Sequence, residues 1–166
     1  MSADMAKSSR EIIEALWDFH GRGTKVSEWL LVEQAYMDGF AKVTLDPDWM
    51  HTDPERAKRE GSWDGTIAFG FWTLSMLTYF MRSTAGAPDP PGALYTLNYG
   101  LDRVRLMAPV PVGSRIRNHY RVLDIEDRGG GRFLSKSENR IEVEGLEKPA
   151  MVAVWLVMTF FPPQAQ

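Results

Sequence analysis

Cysteine is absent from all 166 residues, which removes disulfides, thiolate nucleophiles and Cys-based zinc sites together. Histidine is scarce: His20, His51 and His119 lie far apart with no helical ligand spacing, so no metal site is expected. No apolar run reaches the roughly 20 residues of a membrane span. The longest, 67–81, is interrupted by Gly70, Thr73, Ser75 and Thr78 and reads as a buried helix. Met1 to Ser9 is polar, unlike a secretory signal, so a cytoplasmic protein with no membrane partner is expected. A formal net charge of -3 argues against nucleic acid.

What is present suits one domain, since 44% hydrophobic content over this length supplies a full core. Residues 1–25 read as a helix and tail, and 26–166 as a single domain. Ser9 can cap a helix carrying Ile12, Ile13, Leu16 and Trp17 at helical spacing, closed by Gly21-Arg22-Gly23. A short strand over 28–32, a helix over 34–43 and a brief helix after Asp53-Pro54 follow. The 67–82 helix is apolar on nearly every side, so protein should surround it.

Segments 93–107, 114–127, 132–144 and 149–161 read as long strands between turn residues. In the second, Arg115, Arg117, His119 and Arg121 alternate with Ile116, Tyr120 and Val122, which predicts one core face and one solvated face. The guanidinium forks of Arg103, Arg105, Arg115, Arg117 and Arg121 would also suit phosphates, although such an alternation is more simply a solvated sheet face. Helices first and a strand meander afterwards predict an α+β fold in which a curved antiparallel sheet wraps a long central helix. Several α+β folds share that layout.

The chemistry concentrates in Asp46-Pro47-Asp48-Trp49-Met50-His51-Thr52-Asp53-Pro54. A carboxylate and an imidazole five residues apart on a Pro-punctuated loop form a minimal acid/base kit. Asp beside Pro also shapes turns, so a purely structural role competes with the catalytic one.

This segment resembles the Asp-x-(Asn/Gln)-(Pro/Trp)-x-His-x-Asp motif of the MaoC-like dehydratases, in particular their nodulation protein N-like branch. Gly65-Thr66-Ile67-Ala68-Phe69-Gly70 is similar to that family's Gly-Pro-Ile-Ala-His-Gly entry into the central helix. Segments 98–105 and 108–114 provide a third match, and the likeness runs in order over 26–161.

The resemblance implies a hot-dog fold, a homodimer or higher homo-oligomer, and reversible hydration of a trans-2-enoyl thioester to the (R)-3-hydroxyacyl form. Coenzyme A or an acyl carrier protein would enter as part of the substrate, with no other cofactor. Asp46 and His51 match the catalytic pair, and Gly70 the glycine whose N–H receives the thioester carbonyl.

Asp48 departs from the usual neutral Asn or Gln, and Phe69 from the usual His, so both become candidate site residues. Trp49 and Thr78 could also touch substrate, against the plainer roles of packing and of backbone bonding within the helix. A non-catalytic thioester-binding protein or partner subunit is the alternative function. A thioesterase is the weaker enzyme reading, because 67–81 contains no acidic residue to serve as its carboxylate.

Overall fold

The computed structural model describes residues 7–87 and 89–162. Helix α1 (Ser9–His20) starts one residue earlier than expected, because Ser8 rather than Ser9 is the cap. Its hydroxyl accepts the Glu11 N–H while the Glu11 carboxylate accepts the Ser8 N–H, a reciprocal box that satisfies two otherwise orphaned donors. Ile12 and Leu16 carry this helix into the core.

The strand expected over 28–32 is instead two fragments, β1 (Lys25–Val26) and β2 (Leu30–Leu31). Between them the Ser27 hydroxyl accepts the Asn118 N–H at 3.0 Å, so a side chain replaces a backbone partner and interrupts the ladder. Helices α2 (Gln34–Thr44), α3 (Trp49–Thr52), α4 (Pro54–Glu60) and α5 (Gly70–Ala85) follow. The one-turn α3 was not foreseen, and it puts His51 on a helix rather than on an open loop.

The remaining strands are β3 (Tyr95–Leu106), β4 (Arg115–Asp127), β5 (Arg132–Val143) and β6 (Met151–Phe160). They pair antiparallel in the order β1-β4-β5-β6-β3, with β2 also on β4. Register shifts at Asn98/Gly100, Leu101/Arg103 and Val122/Asp124 mark bulges that bend and twist the strands. Trp72, Leu77 and Phe80 of α5 share one core with Ile116, Ile141 and Met151 of the sheet. A long helix held in a curved antiparallel sheet is the hot-dog fold.

One expectation about α5 fails. Phe71 is 78% exposed and Tyr79 49%, so a single chain covers only part of the helix surface. The sheet reaches one side, and among the described residues Phe71 and Tyr79 on the other side are left largely uncovered.

The solvated face of β4 behaves as its alternation predicts. Arg115, Arg117 and Arg121 pair with Glu144, Glu142 and Glu138, and Arg117 also lies 4.3 Å over the Trp29 ring. Their charges are met by neighbouring carboxylates rather than gathered for a phosphate.

His20 is only 5% exposed, and its Nδ1 shares a 2.6 Å hydrogen bond with the Tyr120 hydroxyl. Burial, with the Lys25 charge as a smaller cause, pushes this imidazole down to about 4. Below an ordinary histidine value of roughly 6.5 the unfolded chain therefore binds a proton that the folded chain refuses. The His20 contribution should be complete above that value and decline as pH falls toward 4, by about 3 kcal/mol in all. Urea unfolding of the wild type and His20→Gln between pH 7.5 and 4.5 checks this: the stability gap between them should narrow on acidification. Parallel curves would refute it.

Candidate active site

Helix α2 ends without a glycine. Leu45 takes the left-handed conformation at φ 59°, and both its N–H and that of Asp46 turn back to the Ala41 carbonyl. A side chain in that region costs on the order of 1 kcal/mol, so the surrounding structure must hold the turn. The chain then runs outward, leaving Asp46 exposed.

Asp48 begins the next helix. Its carboxylate accepts the Met50 N–H at 2.9 Å as the N-cap of α3, while the Thr52 hydroxyl donates to the Asp48 carbonyl at 3.0 Å. Asparagine can make the same cap, so this departure has a structural use that needs no charge. Trp49 is half-buried, with the Arg56 guanidinium 4.7 Å from its ring centroid.

His51 is half-buried, and its Nδ1 lies 2.7 Å from the Ile67 carbonyl oxygen. A carbonyl only accepts, so Nδ1 carries a proton, and in the neutral ring the lone pair is then on Nε2. Phe69 packs its ring 3.8 Å from the imidazole centroid and is itself backed by Phe40 at 5.1 Å. The apolar residue at 69 thus forms a wall that limits rotation of the imidazole.

One main-chain bond from the approach to α5 and one side-chain amide from α2 hold the His51 turn. The Ile67 N–H donates to the Met50 carbonyl at 3.0 Å, and the Gln34 amide donates to the His51 carbonyl at 2.7 Å. Ile67 and Ala68 are extended, bonding to Met50 and Val110, which is why α5 starts at Gly70 rather than at 67.

His51 and Gly70 meet at one cavity of about 270 Å³, whose walls include Thr73, Leu106, Val110 and Ala150. Gly70 opens α5, and Phe69 at the cap position supplies no side-chain acceptor. First-turn N–H groups have no carbonyl of their own helix to bond, and the helix dipole adds partial positive charge there. A Cβ at residue 70 would overlap Leu106 Cδ1, so glycine keeps this corner open.

The other candidates stand apart. Asp46 is outside the lining of this cavity, and Thr78 borders a second cavity of about 200 Å³ with Leu74, Asn98, Leu101 and Trp155. Gln34, Thr66, Thr73 and Leu106 have site contacts that sequence reasoning did not find. Segment 108–114 matched a motif, but its place as a wall became visible only in the fold.

Comparison with known proteins agrees with this architecture. A family model described as MaoC like domain matches residues 18–142. Nodulation protein N of Rhizobium leguminosarum bv. viciae is 40% identical over 137 residues, covering 82% of this chain and 84% of the relative. A 3-hydroxyacyl-thioester dehydratase Z of Mycobacterium tuberculosis is 41% identical, covering 81% of this chain and 88% of the relative. Among solved structures, a MaoC-like dehydratase from Rhodospirillum rubrum superposes with a TM-score of 0.68 at 20% identity, over 89% of this chain and 97% of that one.

Proposed function

Because this chain belongs to the MaoC-like domain family, we propose that it reversibly hydrates a trans-2-enoyl thioester to the 3-hydroxyacyl thioester. The observation that carries this reading is one cavity holding both a tautomer-fixed His51 and the N–H end of α5 at Gly70. Adding water to the activated double bond needs a base for the water, an oxyanion donor and a proton for the α carbon. Each has a candidate here.

The thioester carbonyl oxygen sits at the Gly70 N–H. Water rests on His51 Nε2 at the cavity, and the exposed Asp46 carboxylate must turn toward the same water. As the water oxygen bonds to C3, Nε2 takes its proton and negative charge collects on the carbonyl oxygen. The protonated imidazole then returns a proton to C2, the enolate collapses, and His51 regains its starting form. The net change is one H and one OH across the C2–C3 bond, with no cofactor beyond the thioester's own carrier.

Exposure of Asp46 favours one second reading, a protein that binds thioesters without turning them over. Loss of the conjugated enoyl absorbance, followed with crotonyl-CoA and longer or aromatic enoyl-CoAs, decides between them. Hydration of at least one substrate is expected; binding without turnover across the panel would support the second reading. A thioesterase is disfavoured because α5 carries no acidic residue.

A second copy of the chain is the cover proposed for α5. Strand β3 ends the sheet and exposes Tyr95, Leu97 and Tyr99, while Phe71 projects from α5. Unpaired edges and apolar patches of this kind invite a partner. Light scattering should give about twice the 18.8 kDa chain mass, and Phe71→Glu should return it to one chain without loss of helix signal. A wild-type mass of one chain would end this proposal.

A further inference from the structure

The Gln34 side chain joins three separate segments. Its Nε2 donates to the His51 carbonyl at 2.7 Å and to Asp38 Oδ1 at 2.8 Å, and its Oε1 accepts the Thr66 hydroxyl at 2.5 Å. Chemistry sets the amide orientation. The His51 carbonyl and the Asp38 carboxylate can only accept, so the NH₂ end must face them and the oxygen is left for Thr66. Thr66 is 4% exposed, and its own carbonyl accepts the Val112 N–H at 2.9 Å, which anchors it to the cavity wall segment.

Thr66 immediately precedes the residue that accepts the His51 ring proton. One amide therefore grips the main chain of the histidine and the neighbour of its acceptor, across separations of 17 and 32 residues. Helix α3 is a single turn and cannot hold its own shape in isolation, so the position of His51 must come from such tertiary bonds.

We propose that Gln34 and Thr66 are positioning residues for the reaction: their clamp keeps the His51 Nδ1–H on the Ile67 carbonyl and so keeps the Nε2 lone pair toward the cavity. The kinetic half of this inference rests on the hydratase reading above, whereas the tautomer half does not. A glutamate at 34 matches glutamine in shape but offers the His51 carbonyl no donor. Valine at 66 keeps the volume but removes the hydroxyl; serine restores it.

The test measures kcat and KM on the best enoyl-CoA for the wild type, Gln34→Glu, Thr66→Val and Thr66→Ser, together with imidazole ¹⁵N correlation spectra. The His51 resonances are assigned by their loss in His51→Asn. Gln34→Glu and Thr66→Val should lower kcat about 10- to 100-fold with KM within about threefold, while Thr66→Ser stays near the wild type. In the two impaired variants the Nδ1–H signature of His51 should give way to a mixture of tautomers. Unchanged kcat, or an unchanged His51 signature, in both would overturn the proposal. If the wild type hydrates nothing, the hydratase reading fails separately and the spectra alone decide the clamp.

Discussion

Asp46→Asn and His51→Asn should each lower kcat for enoyl-thioester hydration by about 10²- to 10⁴-fold, the scale set by a positioned acid/base group and the water held for it. The pair is informative because the two residues differ in setting. Asp46 is exposed and supports no core contact, so its replacement should leave stability within about 0.5 kcal/mol. His51 donates to Ile67 and packs on Phe69, so some loss of stability accompanies its loss of chemistry. Full activity in Asp46→Asn with an inactive His51 variant would show that the imidazole holds and activates the water without Asp46. Activity retained in both would remove the assigned mechanism, and unfolding midpoints measured alongside would separate chemistry from folding.

Gly70→Ala should reduce kcat/KM by about 100-fold while barely moving the melting temperature. The added methyl overlaps Leu106 Cδ1, yet Leu106 is 56% exposed and its side chain can swing aside. The first position of a helix also tolerates alanine, so the fold loses little. The substrate cannot be accommodated so readily: its carbonyl must approach the residue 70 N–H where the methyl now stands. A matching Leu106→Ala change would relieve the overlap within the protein but not the methyl's intrusion into the cavity. The double variant should therefore remain impaired, and recovery of full activity would show that the defect lay in Leu106 packing.

Much of the sheet was legible because alternation and turn glycines are local signals. Strands β3 to β6 begin and end within two residues of their expected bounds, and α2 and α4 match closely. The features that sequence concealed are long-range or lack punctuation. Nothing near Gln34 announces a bond to Thr66, and α2 closes on Leu45 where a glycine would have marked the end. The apolar character of α5 was read correctly, but hydrophobicity does not say whether the covering surface belongs to the same chain. His51 and Gly70 do meet at one cavity, whereas Asp46 stands outside its lining.

The two margins of the sheet are unlike. One is closed by β1 and β2, two-residue fragments split at Ser27, and the other is the 12-residue β3. The long margin offers the longer run of backbone groups for another strand. If two copies join antiparallel along β3, each occupies the other's longest open edge, and that contact closes on itself as a twofold pair rather than repeating head to tail. The broken margin, carrying only two-residue fragments, would be the weaker place for further growth.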